Sequence, residues 1–291
     1  MFYQSIRIQI AIITKLINNT KFKIDKGDHL LDTHTHILWN IDDGSKNQCM
    51  SLQMLEIAAR SGTKAIFATP HVIERANKPS WEEIKEKTQQ LRQLCAEAQI
   101  DIMLYPGAEV QMNWELLPEL GAAGAYCLNG GRYLLVELPA AEIPAYADEF
   151  WYELELKGIT PILAHPERYQ QLRENPDLLL LWRRRGMLMQ CNSGSFTGMF
   201  GSSVCENAKV LLANGLVDLL GSDGHRSEGR NTDMSRAAAV IRRQLAGEEV
   251  LRQMTETNPQ AILKNQEIEL KQPKVFLEDK PKSFWQKLFG K

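Results

Sequence analysis

The sequence predicts an α/β fold, a barrel of about seven (β/α) units in one domain. Three observations carry this. From Leu30 onward, short apolar runs alternate with longer amphipathic ones. Most of the short runs are continuous rather than alternating, as strands buried on both faces require. Strands separated by helices imply parallel pairing, because each crossover returns the chain in the same direction. The 291 residues suffice for such a unit, and 44% apolar against 24% charged residues supplies an ordinary core.

In chain order, residues 1–29 read as an appendage packed on the domain. The stretch 6–17 is apolar, but Arg7 and Lys15 interrupt it and no small-residue cleavage site follows. It therefore reads as neither a membrane span nor a signal peptide. Its periodicity fits a strand (Ile6, Ile8, Ile10, Ile12) as well as a helix (Ile6, Ile10, Ile13, Ile17). The barrel domain is expected over 30–265, with strands at 30–35, 65–69, 102–105, 133–138, 160–164, 187–191 and 216–221. Helices are expected at 48–61, 81–98, 146–157, 176–186, 202–214 and 232–245. Ser45 followed by Gln48 resembles a capping box, and Gly62, Gly158, Gly186 and Gly215 stand where helices should stop. Residues 266–291 form a basic tail carrying Phe284, Trp285, Leu288 and Phe289. That tail reads either as a solvated end with a docked aromatic stripe or as a segment for an anionic membrane surface or a partner.

Composition removes several classes of function. A formal net charge of −2 gives no reason to expect nucleic acid. The five cysteines, Cys49, Cys95, Cys127, Cys191 and Cys205, are scattered without a C-x-x-C pair, as in a reduced cytoplasmic protein. None begins a C-x5-R phosphate loop, since Cys127 to Arg132 is one residue short. A cysteine-nucleophile phosphatase is therefore not expected.

The chemistry is expected at the strand ends. His34 and His36 close the first predicted strand, and His71 follows the second. Glu109 follows the third, Glu137 ends the fourth, His165 the fifth, and Asp223 and His225 the seventh. This is the face on which (β/α) barrels place their active sites. Residues two apart in a strand project to one side, so His34 can point with His36, and Asp223 with His225 if the strand stays extended there. Imidazoles beside carboxylates, without thiolates, suit borderline divalent metals such as Mn, Fe or Zn. Singly, each residue has a plainer role: an H-x-H pair can arise by chance, His71 can fill a core position, and Asp42, Asp43 and Asp223 can be turn residues. Glu137 after Leu134-Leu135-Val136 and Glu109 between Ala108 and Val110 are harder to explain this way. A buried carboxylate needs compensation, and one shared metal cluster would compensate both.

The blocks Asp32-Thr-His-Thr-His-Ile-Leu, Ile41-Asp-Asp-Gly-Ser-Lys, Ala68-Thr-Pro-His, Gly107-Ala-Glu, Val136-Glu-Leu, Ala164-His-Pro-Glu-Arg-Tyr, Gln190-Cys-Asn-Ser and Ser222-Asp-Gly-His together resemble the PHP (polymerase and histidinol phosphatase) superfamily. More closely, they are similar to its bacterial protein-tyrosine phosphatases of capsule and exopolysaccharide operons. The resemblance runs from about Leu30 to Asn265. It implies a distorted (β/α)7 barrel binding three divalent metals, with manganese expected and iron or zinc as alternatives. The implied ligands are His34, His36, Asp43, His71, Glu109, Glu137, His165, Asp223 and His225, with Asp42 able to stand in for Asp43. Arg168 and Arg230 are the implied phosphate contacts, although the family often has proline where this chain has Asn231. Without the resemblance, both arginines would read as surface ion-pair residues. The implied reaction is attack of a metal-activated hydroxide on phosphotyrosine, without a covalent phospho-enzyme. The implied partner is a bacterial tyrosine kinase that controls polysaccharide synthesis or export. The alternatives are a small-molecule phosphatase of the histidinol-phosphate type and a non-catalytic, metal-stabilised regulatory module.

Overall fold

The computed structural model describes residues 29–271 and residue 273. Nine strands follow in order: β1 (Leu30–Thr35), β2 (Thr63–Ala68), β3 (His71–Val72), β4 (Met103–Pro106), β5 (Glu109–Gln111), β6 (Tyr133–Glu137), β7 (Thr160–Ala164), β8 (Leu188–Asn192) and β9 (Leu219–Gly221). They pair in parallel as β1-β2-β4 and β3-β5-β6-β7-β8-β9. The two sheets are halves of one surface. β2 continues into β3 past Thr69-Pro70, and β4 into β5 past Gly107-Ala108. Pro70 has no amide hydrogen to give the ladder, yet its carbonyl accepts from Glu109 N at 3.0 Å, and Gly107 N donates to Ala68 O at 2.9 Å. At the other edge the surface closes on itself: Thr35 bridges to Gly224, His36 N donates to Gly224 O at 2.9 Å, and Asp223 N to His34 O at 2.8 Å. The result is the expected barrel of seven staves, two of them broken once.

The breaks matter because each predicted strand end was expected to stop near its ionisable residue. Instead His71 opens β3 and Glu109 opens β5, on second segments that the apolar runs did not reveal. Alternation along each strand divides the core. Phe67, Tyr133, Leu135, Ile162, Ala164, Leu188 and Leu219 form one cluster, while Leu134, Val136, Leu163, Met189 and Leu220 belong to the larger cluster shared with the helices. The side chains two places beyond Leu135 and Leu188, Glu137 and Gln190, therefore continue the inward row toward the C-terminal mouth.

Outside the staves lie α1 (Gln48–Arg60), α2 (Trp81–Glu97), α3 (Ala147–Leu156), α4 (Asp177–Arg184), α5 (Ser202–Ala213) and α6 (Ser235–Val240). Periodic apolar residues face inward, as Leu52, Met54, Leu55 and Ala58 do in α1. Gly62, Gly158, Gly186 and Gly215 end their helices at positive φ. The capping-box expectation is corrected: Asn47 caps α1 by accepting from Met50 N at 2.9 Å, and buried Ser45 instead meets Ser51 Oγ at 2.9 Å. Beyond α6, further helical turns run to Leu263, and Ile262 joins Ile268 in the interior cluster. Among the described residues no helix is long and apolar enough to cross a membrane. The expected appendage, His29 apart, and the aromatic residues of the expected tail lie outside the described residues.

Candidate metal centre

At the C-terminal mouth the expected residues meet. His34 and His36, on and just past the end of β1, bring their Nε2 atoms within 3.1 Å of each other, and both are fully buried. Glu109 Oε2 lies 3.1 Å from His34 Nε2, 3.2 Å from His36 Nε2 and 3.1 Å from His71 Nδ1. Glu137 Oε1 is 3.2 Å from the same His71 Nδ1. Asp223 Oδ1 lies 3.5 and 3.4 Å from the two β1 histidines. Asp43 Oδ1 reaches His71 Nε2 at 3.7 Å and His225 Nε2 at 3.4 Å. His165 Nε2 stands 2.8 Å from Glu109 Oε1. Asp223 and His225 do not share an extended strand: Asp223 has φ of 53°, so a left-handed turn, not alternation, brings them together. His165 is likewise left-handed at φ 35°. Such conformations in non-glycine residues cost on the order of 1–3 kcal/mol each, which the surrounding barrel must supply.

Three overlapping groups offer nitrogen and oxygen atoms within 4.8 Å of one another: His36, Asp43, His71 and His225; His34, His36 and Asp223; and His71, Glu109 and Glu137. His165 falls in none of them. Within this cluster Glu109 Oε2, Asp223 Oδ1 and His71 Nδ1 are buried without a hydrogen-bond partner. These ligand atoms thus converge in a desolvated space, and cations shared among them would satisfy all three. The donor set fits borderline divalent metals.

The electrostatics agree. Burial pushes the His34 imidazole toward neutrality, but Glu109 and Asp223 outweigh it and raise its pKa. His36 is raised further, burial being overcome by Asp42 together with Asp223 and Glu109. His71 is raised by Glu109 and Glu137 against burial and the His36 charge. Burial alone would raise Glu109 and Asp223, yet the histidines hold both carboxyls well below their usual range. His225, buried beside the His36 charge, is pushed down to about 4. Without metal, imidazole protons balance the carboxylates.

Several supporting residues escaped the strand-end reading. Asp42 Oδ2 lies 2.8 Å from His36 Nδ1 and accepts from the His71 backbone N at 3.0 Å, so it orients the His36 imidazole and anchors the His71 backbone. From β8, the one stave without an ionisable end, Gln190 Oε1 sits 2.9 Å from His34 Nδ1, and Asn192 Nδ2 donates to Asp223 Oδ2 at 2.6 Å. Neutral amides carry no charge anomaly in a sequence, so only strand position and the resemblance block Gln190-Cys-Asn-Ser point to them, and neither gives them a role. Arg168 Nη1 donates to Asp223 Oδ2 at 3.1 Å, and Arg230 Nη2 pairs with the same oxygen. Both arginines line a cleft of about 680 Å³ that opens over His71, Glu109, Glu137, His165 and His225. No thiol lines this cleft. Burial pushes the Cys127 thiol up to about 11 and Cys191 well above its ordinary value, which disfavours a thiolate nucleophile.

A parallel barrel with histidines and carboxylates converging at its C-terminal mouth defines the class, a metal-dependent hydrolase. Within that class the chain belongs to the capsular polysaccharide synthesis, CpsB/CapC, family, whose model matches residues 30–264. It is 33% identical over 239 residues to tyrosine-protein phosphatase YwqE of Bacillus subtilis (strain 168), covering 82% of this chain and 93% of YwqE. A chain from the crystal structures of YwqE from Bacillus subtilis and CpsB from Streptococcus pneumoniae, metal-dependent tyrosine phosphatases, matches with TM-score 0.79 and 32% identity. That match covers 85% of this chain and 100% of the other. Histidinol phosphate phosphatase from Lactococcus lactis, at TM-score 0.50 and 16% identity over 76% of this chain and 95% of its own, shares the fold.

Proposed function

We propose that this chain is a metal-dependent protein-tyrosine phosphatase. Its cations are held by His34, His36, Asp43, His71, Glu109, Glu137, His165, Asp223 and His225. The observation that carries the reading is the convergence of these side chains around buried, unpartnered ligand atoms, in a chain one third identical to a tyrosine-protein phosphatase. The three overlapping ligand groups support three cations. Manganese is the proposed metal, with iron and zinc also compatible with the donors.

When bound, divalent cations supply Lewis acidity to phosphate oxygens and lower the pKa of water. The chain's own residues do the rest. Arg168 and Arg230 present planar N–H edges that suit a bidentate phosphate contact. Arg230 Nε is buried without a partner, a donor available to an anion. Asp42 and Gln190 fix the ring orientations of His36 and His34. A phenolate leaves with a pKa of about 10, so its departure depends less on a strong general acid than an alkoxide's would.

The proposed substrate is phosphotyrosine on a bacterial tyrosine kinase that controls capsule or exopolysaccharide synthesis or export, which suits the family's description. The proposed compartment is the cytoplasm, in keeping with five free cysteines. The test is phosphate release by manganese-loaded protein from phosphotyrosine peptides and from histidinol phosphate. Turnover of the peptides, abolished by chelation and by His34→Ala, is expected. Activity that survives both treatments, or is confined to histidinol phosphate, would sink the reading.

A further inference from the structure

The turn that follows β8 carries a half-buried aromatic residue, Phe200, that belongs to neither the metal centre nor the cleft wall. Its ring nevertheless meets both candidate phosphate contacts: Arg168 Cζ lies 4.9 Å and Arg230 Cζ 5.6 Å from the ring centroid. The two arginines come from loops 62 positions apart in sequence, so one ring under both is not a consequence of local chain geometry.

The turn is built to hold that ring in place. Glu167, fully buried and adjacent to Arg168, accepts from Asn192 N at 2.9 Å and from Ser195 Oγ at 2.7 Å. This ties the Arg168 turn to the start of the Phe200 turn. Met199 N donates back to Gly194 O at 3.0 Å. Gly194 is packed so closely that a Cβ there would stand 2.9 Å from Met199 Sδ and 3.2 Å from Phe200 Cε2.

Asp223 alone cannot organise the two guanidiniums. Both donate to its single oxygen Oδ2, which attracts them without fixing their planes. An aromatic face attracts a guanidinium through its quadrupole and leaves the N–H edges free for a bidentate contact. We propose that Phe200 is a positioning residue: it orients Arg168 and Arg230 together for the phosphate of the substrate. This rests on the reading of the two arginines as phosphate contacts.

The experiment uses the manganese-loaded full chain and measures the competitive inhibition constant of inorganic phosphate and the KM for a phosphotyrosine peptide. Phe200→Leu should raise both roughly 3- to 30-fold, the range of a cation–π contact. Phe200→Tyr, which keeps the ring, should stay within about twofold of the parent. Phe200→Met gives a second ringless variant should Leu fail to fold, with manganese content as the check on integrity. Added to Arg168→Ala/Arg230→Ala, the loss of the ring should change phosphate inhibition by less than about twofold, because its effect runs through the arginines. Unchanged phosphate inhibition in the ringless variants, or an equal loss in the arginine-free background, overturns the proposal and leaves the arginine reading standing. Parent-like phosphate inhibition in the double arginine variant overturns both.

Discussion

Asp42 and Asp43 are neighbours in sequence that face different histidine atoms of one cluster. Asp42 is mostly buried and bonds the far nitrogen of His36, while Asp43, with 66% of its side chain exposed, faces Nε2 of His71 and His225. The first geometry is that of a residue behind a ligand, the second that of a ligand. Sequence reasoning left the two interchangeable, because both are carboxylates entering a helix through Gly44. What separates them is the turn itself, which Gly44 permits: a Cβ there would sit 2.2 Å from His36 O. Asp42→Asn keeps one carbonyl oxygen where Asp42 uses two, Oδ1 for Gly44 N and Oδ2 for His71 N and His36 Nδ1, so it loses one of these acceptors along with the charge paired with His36. It should weaken manganese binding about 10- to 100-fold, the usual consequence of losing such an orienting partner. A manganese titration of the chelator-stripped variant checks this; parent-like affinity would make Asp42 a turn residue only. Eight of the nine proposed ligands, by contrast, were legible as a set, because a histidine or acid recurring at strand ends is improbable for residues that merely fill a core; Asp43, in a loop, came only from the resemblance. Phe200 was not, since an aromatic is unremarkable in a turn, and Gln190 and Asn192 stood out only within the resemblance block Gln190-Cys-Asn-Ser, without a role.

The elements were legible where one apolar run made one strand, as in β6 and β7. They were less so where a stave is interrupted. Pro70 removes one ladder donor, and β3 and β5 keep two and three residues, too short for a periodic signal to register. The helix expected at 232–245 is found over 235–245, its last turn π-type, whereas the helical turns from Gly247 to Leu263 were missed, where a π-type segment at 253–257 breaks the 3.6-residue period. Loops at the mouth are joined across elements by side chains, and Tyr169 is the clearest case. Its hydroxyl accepts from Leu138 N at 2.9 Å and donates to Leu138 O at 3.3 Å, tying the end of β6 to the turn after β7. Tyr169→Phe leaves the amide of the buried Leu138 without that partner, a cost of about 1–3 kcal/mol. The urea midpoint should fall accordingly at unchanged slope. A midpoint equal to the parent's would mean that the two loops do not depend on this link.

Over the whole molecule, the barrel gathers charges that no single stave could hold, and its stability must follow their protonation. In the metal-free protein His34, His36 and His71 have raised pKa values. The stability they contribute is fully present below the unfolded imidazole value of about 6.5 and is lost as pH rises through the higher folded values. Glu109 and Asp223 are depressed, so their contribution is present above the unfolded carboxylate value of about 4 and is lost only in stronger acid. Asp32, raised by burial to about 6, loses its contribution as pH rises from about 4 to 6. His225, pushed down to about 4, partly opposes the other imidazoles, losing its contribution as pH falls below about 6.5. Metal-free protein should therefore be most stable in weak acid and should melt at a lower temperature at pH 8 than at pH 6. Cation binding runs the other way, because it requires unprotonated imidazoles and stabilises the folded state in proportion to the logarithm of its saturation. The melting-temperature gap between manganese-saturated and chelator-treated protein should widen from pH 6 to pH 8. Parallel scans of the two forms measure it. A gap that stays constant or narrows would mean that protons and cations do not compete for this cluster, and that the convergence of its side chains serves something other than metal.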